Sequence, residues 1–114
     1  MTLAATAAIA FVALQHVAFL VLEMFLWTTP TGRRIFQMTR EQAEATRVLA
    51  ANQGLYNGFL AGGLAWSAAT GNGPVATFFT ACVVVAGVFG AATASRSILF
   101  VQALPGAVAL ALVI

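Results

Sequence analysis

The sequence predicts an all-α fold: a four-helix transmembrane bundle, both termini extracytoplasmic, with a longer cytoplasmic loop between helices one and two. Three observations carry that prediction. Of 114 residues, 61% are hydrophobic and 7% charged, whereas a soluble domain carries about a quarter charged residues. Four apolar stretches, at 3–27, 46–69, 75–95 and 98–114, come near the ~20 residues a helix needs to cross hydrocarbon. Finally, all five basic residues are arginines, and they fall at only two of the connections. A chain of this length makes one membrane domain, residues 1–114.

Span one, "MTLAATAAIAFVALQHVAFLVLEMFLW", has no basic start, and its apolar run is longer than that of a secretory signal. It reads as a retained first helix. The first connection, "TTPTGRRIFQMTREQAEATR", holds Pro30 and Gly32 as helix-ending signals, then Thr39 with Gln42 three residues on. That Thr-x-x-Gln spacing is a capping box. Helix two is thus predicted to begin near Arg40, in water, and to enter the membrane after Arg47. Loop one (28–44), with its mixed Arg and Glu, is expected to lie on the membrane surface and cap the cytoplasmic mouth. "TGNGP" (70–74) makes the tight turn into span three. "ASRS" (94–97) leaves room for little more than one turn, with Ser97 as N-cap of span four. In span four, Pro105 lacks a donor and is expected to loosen the backbone beside Gly106, freeing a carbonyl near residue 101.

Orientation follows from the arginines. Arg33, Arg34, Arg40 and Arg47 flank the first loop and Arg96 the third, while the second loop and both ends have none. The positive-inside rule then makes loops one and three cytoplasmic. The pI of about 9.5 arises from these loop arginines and reads as a topology signal rather than a nucleic-acid footprint. The partner implied is the lipid bilayer, not nucleic acid.

Several chemistries are poorly supplied. One histidine and one cysteine build no zinc site within a chain, and bis-histidine haem ligation would need two protomers. No Ser-His-Asp order, phosphate loop or metal-spaced cluster is present. Cys82, in an apolar run, reads as a buried inert thiol. The reading is no metal, no cofactor, and binding or transport in preference to catalysis.

The polar residues inside the spans fall at matching depths. With Trp27, Arg47 and Arg96 as interface markers and a helical rise of ~1.5 Å per residue, Glu23, Asn52, Gln53 and Gln102 form one layer. His16, Tyr56, Asn57 and the Pro105–Gly106 pair form a second, deeper one. His16 and Glu23 share a face of helix one but stand two turns apart, so something else must bridge them. On helix two, Asn52 with Tyr56 and Gln53 with Asn57 make a broad polar stripe, beside a glycine face at Gly54, Gly58 and Gly62. Asn and Gln in membrane helices often serve only as interhelical clamps, and Gln15 fits that role. Trp27 and Trp66 lie where interfacial anchors belong. Glu23 is the sharper candidate, because an intramembrane carboxylate is expensive and its own helix face offers no cation.

At "VLEMFLWTTPTGR", "EATRVLAANQGLYNGFLAGGL" and "SRSILFVQALPG" the chain resembles a widespread family of small bacterial integral membrane proteins of unknown function, with four predicted spans. The resemblance covers nearly the whole chain. It implies a multi-pass protein of the bacterial inner membrane, and no activity. In size, span count and a helix-one glutamate the chain is also similar to small multidrug transporters, at the level of fold analogy alone.

The function expected is a polar intramembrane pocket in the cytoplasmic half, binding or transporting a small molecule, with Glu23 as the proton-coupling group. His16, Asn52, Gln53, Tyr56, Asn57 and Gln102 are expected to line it. Four helices enclose little volume, so transport would call for a homodimer. The alternatives are a membrane enzyme acting on a lipophilic substrate, with Glu23 and His16 as acid and base, and an accessory subunit in which the stripe only locks the bundle.

Overall fold

The computed structural model describes residues 1–114. It is helical throughout, without strands: α1 (Leu3–Met24), α2 (Pro30–Ile35), α3 (Arg40–Thr70), α4 (Gly73–Thr93), a π-helical segment (Leu99–Ala103), and α5 (Leu104–Val113). Two of these, α1 and α4, are long and apolar enough to cross a membrane, with mean hydropathies of 2.1 and 2.2. α3 is longer still, but its arginines, amides and glycines dilute its apolar character. The final helical stretch, Leu99–Val113, is apolar and shorter.

The helix boundaries have local causes. At the start of α3, Gln42 Nα–H donates to the Thr39 hydroxyl at 3.1 Å, and the Gln42 side chain accepts from Thr39 N–H at 2.9 Å. This is the capping box in full, and it satisfies two donors that a helix start leaves unpaired. α4 begins behind Asn72, whose side chain accepts from Val75 N–H at 3.1 Å, with Pro74 in the first turn. Gly71 precedes it at φ 65°, a backbone conformation that a side chain would strain.

Two expectations about boundaries are corrected. Pro30 does not end a helix; it opens α2, where its missing N–H costs nothing, and Thr29 caps it by accepting from Gly32 N–H at 3.2 Å. Gly32 is likewise no terminator. It is buried within α2, so close to the Leu26 and Trp27 carbonyls that no Cβ fits. Before the final helical stretch Ser97 is not the cap: Ser95 Oγ accepts from Ser97 N–H at 3.3 Å and lies 2.8 Å from the Ser97 hydroxyl.

The chain divides into two compact units, residues 15–59 and residues 1–14 with 60–114. In the second of these, the core joins Ile9, Val12 and Ala13 of α1 to Leu64 of α3, Ala76 and Val83 of α4, and Ala109 of α5. Its buried hydroxyls, Ser67 and Thr80, are bonded to carbonyls of their own helices at 2.8 and 2.7 Å, so the core carries no polar debt there. Gly87 lets α4 lie against the backbone of the π segment: a Cβ at residue 87 would stand 2.7 Å from Ala103 N. Upstream of Pro105 the backbone widens by one residue instead of opening, and Leu104 N–H bonds Leu99 O, five residues back. The loosening expected beside Pro105 therefore takes the form of a π-bulge, and Val101 retains a partner.

Candidate functional site

Within residues 15–59, α1 and α3 pack antiparallel. Leu20 lies by Gly58, and Glu23 and Met24 lie by Gly54. The glycines make this approach possible: a Cβ at residue 54 would meet Met24 Cγ at 2.6 Å and Glu23 Cβ at 3.1 Å, and one at residue 58 would meet Leu20 Cδ1 at 2.7 Å. The periodicity expected to continue to Gly62 stops at Gly58. Gly62 is exposed with nothing within 4 Å of its would-be Cβ.

Against this glycine face sits the carboxylate. Glu23 is only 4% exposed. Gln53 Nε2 donates to its Oε2 at 2.6 Å, and Asn57 Nδ2 donates to its Oε1. Gln53 and Asn57 are one helical turn apart on one face of α3, so a single carboxylate directed between them takes one donor from each. No arginine takes part; the ion pair Arg47–Glu44, at 3.9 Å, is exposed and outside this site. Nor does any group of three His, Cys, Asp or Glu side chains come together as a metal site would require.

The polar stripe is narrower than the sequence implied. Asn52, Gln53 and Tyr56 are all exposed, but only Gln53 reaches the carboxylate; the Tyr56 ring stands edge-on to Phe59 at 5.6 Å. Neighbouring residues on a helix point roughly 100° apart, so the face that gives Gln53 and Asn57 to α1 turns Asn52 and Tyr56 away from it. Depth is corrected too. Asn57, expected a layer below Glu23, instead bonds to it. A depth counted from Trp27 at the helical rise requires α1 to reach that residue, but α1 ends at Met24, and the non-helical turn that follows does not advance by the helical rise. His16 is fully buried with its ring edge-on to Phe19 at 5.1 Å, and it is partnered. Gln102 belongs to the other compact unit, half-buried and partnered on the π segment.

One contact involves a residue that the sequence does not single out. Thr46 accepts a hydrogen bond from Trp27 Nε1 at 3.0 Å, tying the turn after α1 to the second turn of α3. Trp27 also packs against Phe36 at 4.7 Å between ring centroids. Elsewhere, two open apolar grooves run along α4, one beside Phe78, Cys82, Val85 and Phe89 and the other beside Val84, Val88, Phe100 and Leu104. Neither includes a polar candidate, and Cys82 is half-exposed at the first of them rather than buried.

The sequence model of a family described as "Protein of unknown function (DUF1304)" matches residues 10–114. The chain belongs to this family. Comparison with curated proteins and with solved structures gave no match. The family brings no activity with it. The matched residues include Glu23, Gln53 and Asn57, the three side chains that bond to one another.

Proposed function

We propose that the chain is a four-span protein of a bacterial inner membrane, termini outside and the α1–α3 connection in the cytoplasm, that binds a small molecule at Glu23 and couples its binding or passage to a proton on that carboxylate. The observation carrying this reading is a buried carboxylate on a span-length apolar helix, held by two neutral amides with no cation beside it. Ionisable groups within membrane helices are costly, and their usual use is in proton relays and substrate sites.

The membrane placement has its own support. Only 28% and 22% of the apolar windows of α1 and α4 are buried, whereas the core helix of a soluble protein is mostly covered. Phe11, Leu14, Phe78, Val85 and Phe89 are among the large apolar side chains left exposed, as lipid contact requires. With 31 residues, α3 reaches roughly 46 Å, enough to cross hydrocarbon with its charged first turns in water. Passage of a solute would take a second copy of the chain, because one four-helix bundle leaves little interior.

A second reading has a specific observation in its favour: both Glu23 oxygens already hold donors from the same chain. That arrangement also serves as a structural clamp between α1 and α3. The two readings separate in a purification. Wild type and Glu23→Gln are isolated in mild detergent, and co-purified small molecules are identified by mass spectrometry, with circular dichroism reporting folding. Binding predicts a molecule retained near stoichiometrically by wild type and absent from folded Glu23→Gln. If wild type carries nothing and the variant is merely less stable, the clamp reading stands.

A further inference from the structure

The α1–α3 connection is more than a tether. α2 is a short helix held in place at both ends: Gly32 is seated on the Leu26 carbonyl, Met38 N–H bonds Arg33 O at 2.8 Å, and the Phe36 ring packs on Trp27. This ordering presents Ile35, 52% exposed, beside the exposed guanidinium of Arg34. Arg33 is half-buried, and its Nε has no acceptor in the chain. Shielded cationic groups without an acceptor are unfavourable, and a neighbouring anion offsets that cost. Arg40 and Arg47 stand exposed on the first turns of α3. Between residues 28 and 47 the chain carries four arginines against two glutamates, Glu41 and Glu44, one of which is spent on Arg47.

Apolar side chains interleaved with arginines next to a Trp–Phe pair are the composition of a segment lying at the headgroup boundary. The cytoplasmic leaflet is where anionic lipid accumulates, and juxtamembrane basic residues are attracted to it. We propose that α2 is an interfacial anchor for anionic phospholipid: Arg33 and Arg34 take headgroup phosphate while Ile35 and Phe36 enter the acyl boundary. Guanidinium suits this role, since its planar fork matches two phosphate oxygens at once. The inference rests on the membrane placement proposed above and is independent of what Glu23 binds.

The test titrates the full chain in detergent with phosphatidylglycerol, phosphatidylcholine and inorganic phosphate, reading the melting midpoint and the lipids retained in native mass spectra. The expected result is retention and a raised midpoint with phosphatidylglycerol only. Arg33→Gln/Arg34→Gln weakens binding by about fivefold for each charge removed; Arg33→Lys/Arg34→Lys, which keeps the charge but loses the two-oxygen fork, falls between wild type and that variant; and exposed Arg34→Gln alone gives an intermediate value. Equal responses to the two lipids, an equal response to inorganic phosphate, or undiminished phosphatidylglycerol binding by Arg34→Gln would overturn the proposal. Alkaline carbonate extraction is run in parallel. Release of the chain from membranes brings down the membrane placement and this inference together, whereas retention without lipid selectivity brings down this inference alone.

Discussion

Glu23 takes one donor on each oxygen, from Gln53 and from Asn57, so the consequences of removing each one differ in a readable way. Asn57→Leu leaves Oε1 of a buried carboxylate without its partner. The expected loss is about 1–2 kcal/mol, between the average of a membrane hydrogen bond and the cost of a buried unsatisfied group. Asn52→Leu, five residues earlier on the same helix and exposed, is expected to change stability by less than about 0.5 kcal/mol. Denaturation of both variants in mixed micelles, followed by circular dichroism, checks the pair; equal losses would mean that the whole stripe acts as one clamp. Glu23, Gln53 and Asn57 were all legible in the sequence, because an acid and two amides stand out in an apolar run. Their separation from Asn52 and Tyr56 was not. It depends on which face of α3 meets α1, and two adjacent polar pairs offer no preference until Gly54 and Gly58 choose between them.

At the scale of helices, close approach sets the packing, and glycines decide where it occurs. Gly87 faces the Ala103 backbone at 2.7–2.8 Å from a would-be Cβ, and backbone cannot rotate away as a side chain can. Gly87→Ala is therefore expected to destabilise by about 1–3 kcal/mol, as overpacking does. Gly62→Ala, with open space around it, should be neutral or stabilising by up to about 1 kcal/mol through helix propensity. Thermal melts of the two variants in one detergent test this; a destabilised Gly62→Ala would reveal a neighbour on that face, such as a second copy of the chain. The regular spacing of 54, 58 and 62 invited a single packing face, yet the third member lies open because the buried small residue at that level is Gly63, against Phe79. Caps were more transparent. Thr39–Gln42 and Asn72 followed from short-range hydrogen bonding that the sequence itself specifies. Pro30 and Gly32 misled because the same residues that stop a helix also start one.

For the whole molecule, the arginine distribution and the exposed apolar helices make testable statements about sidedness. In a Cys82→Ser background, Thr39→Cys is expected to react with an impermeant maleimide only from the cytoplasmic side, and Asn72→Cys only from the outside. Labelling of both from one side would contradict four spans. The function claim is reached most directly by solid-supported-membrane electrophysiology on proteoliposomes, using a panel of amphipathic organic cations and acids under an imposed proton gradient. The account predicts proton-gradient-dependent currents for wild type with at least one class, unchanged in Asn52→Leu and absent in Glu23→Gln that inserts and folds normally. Wild-type liposomes silent to every class, or currents that persist undiminished in Glu23→Gln, would contradict it.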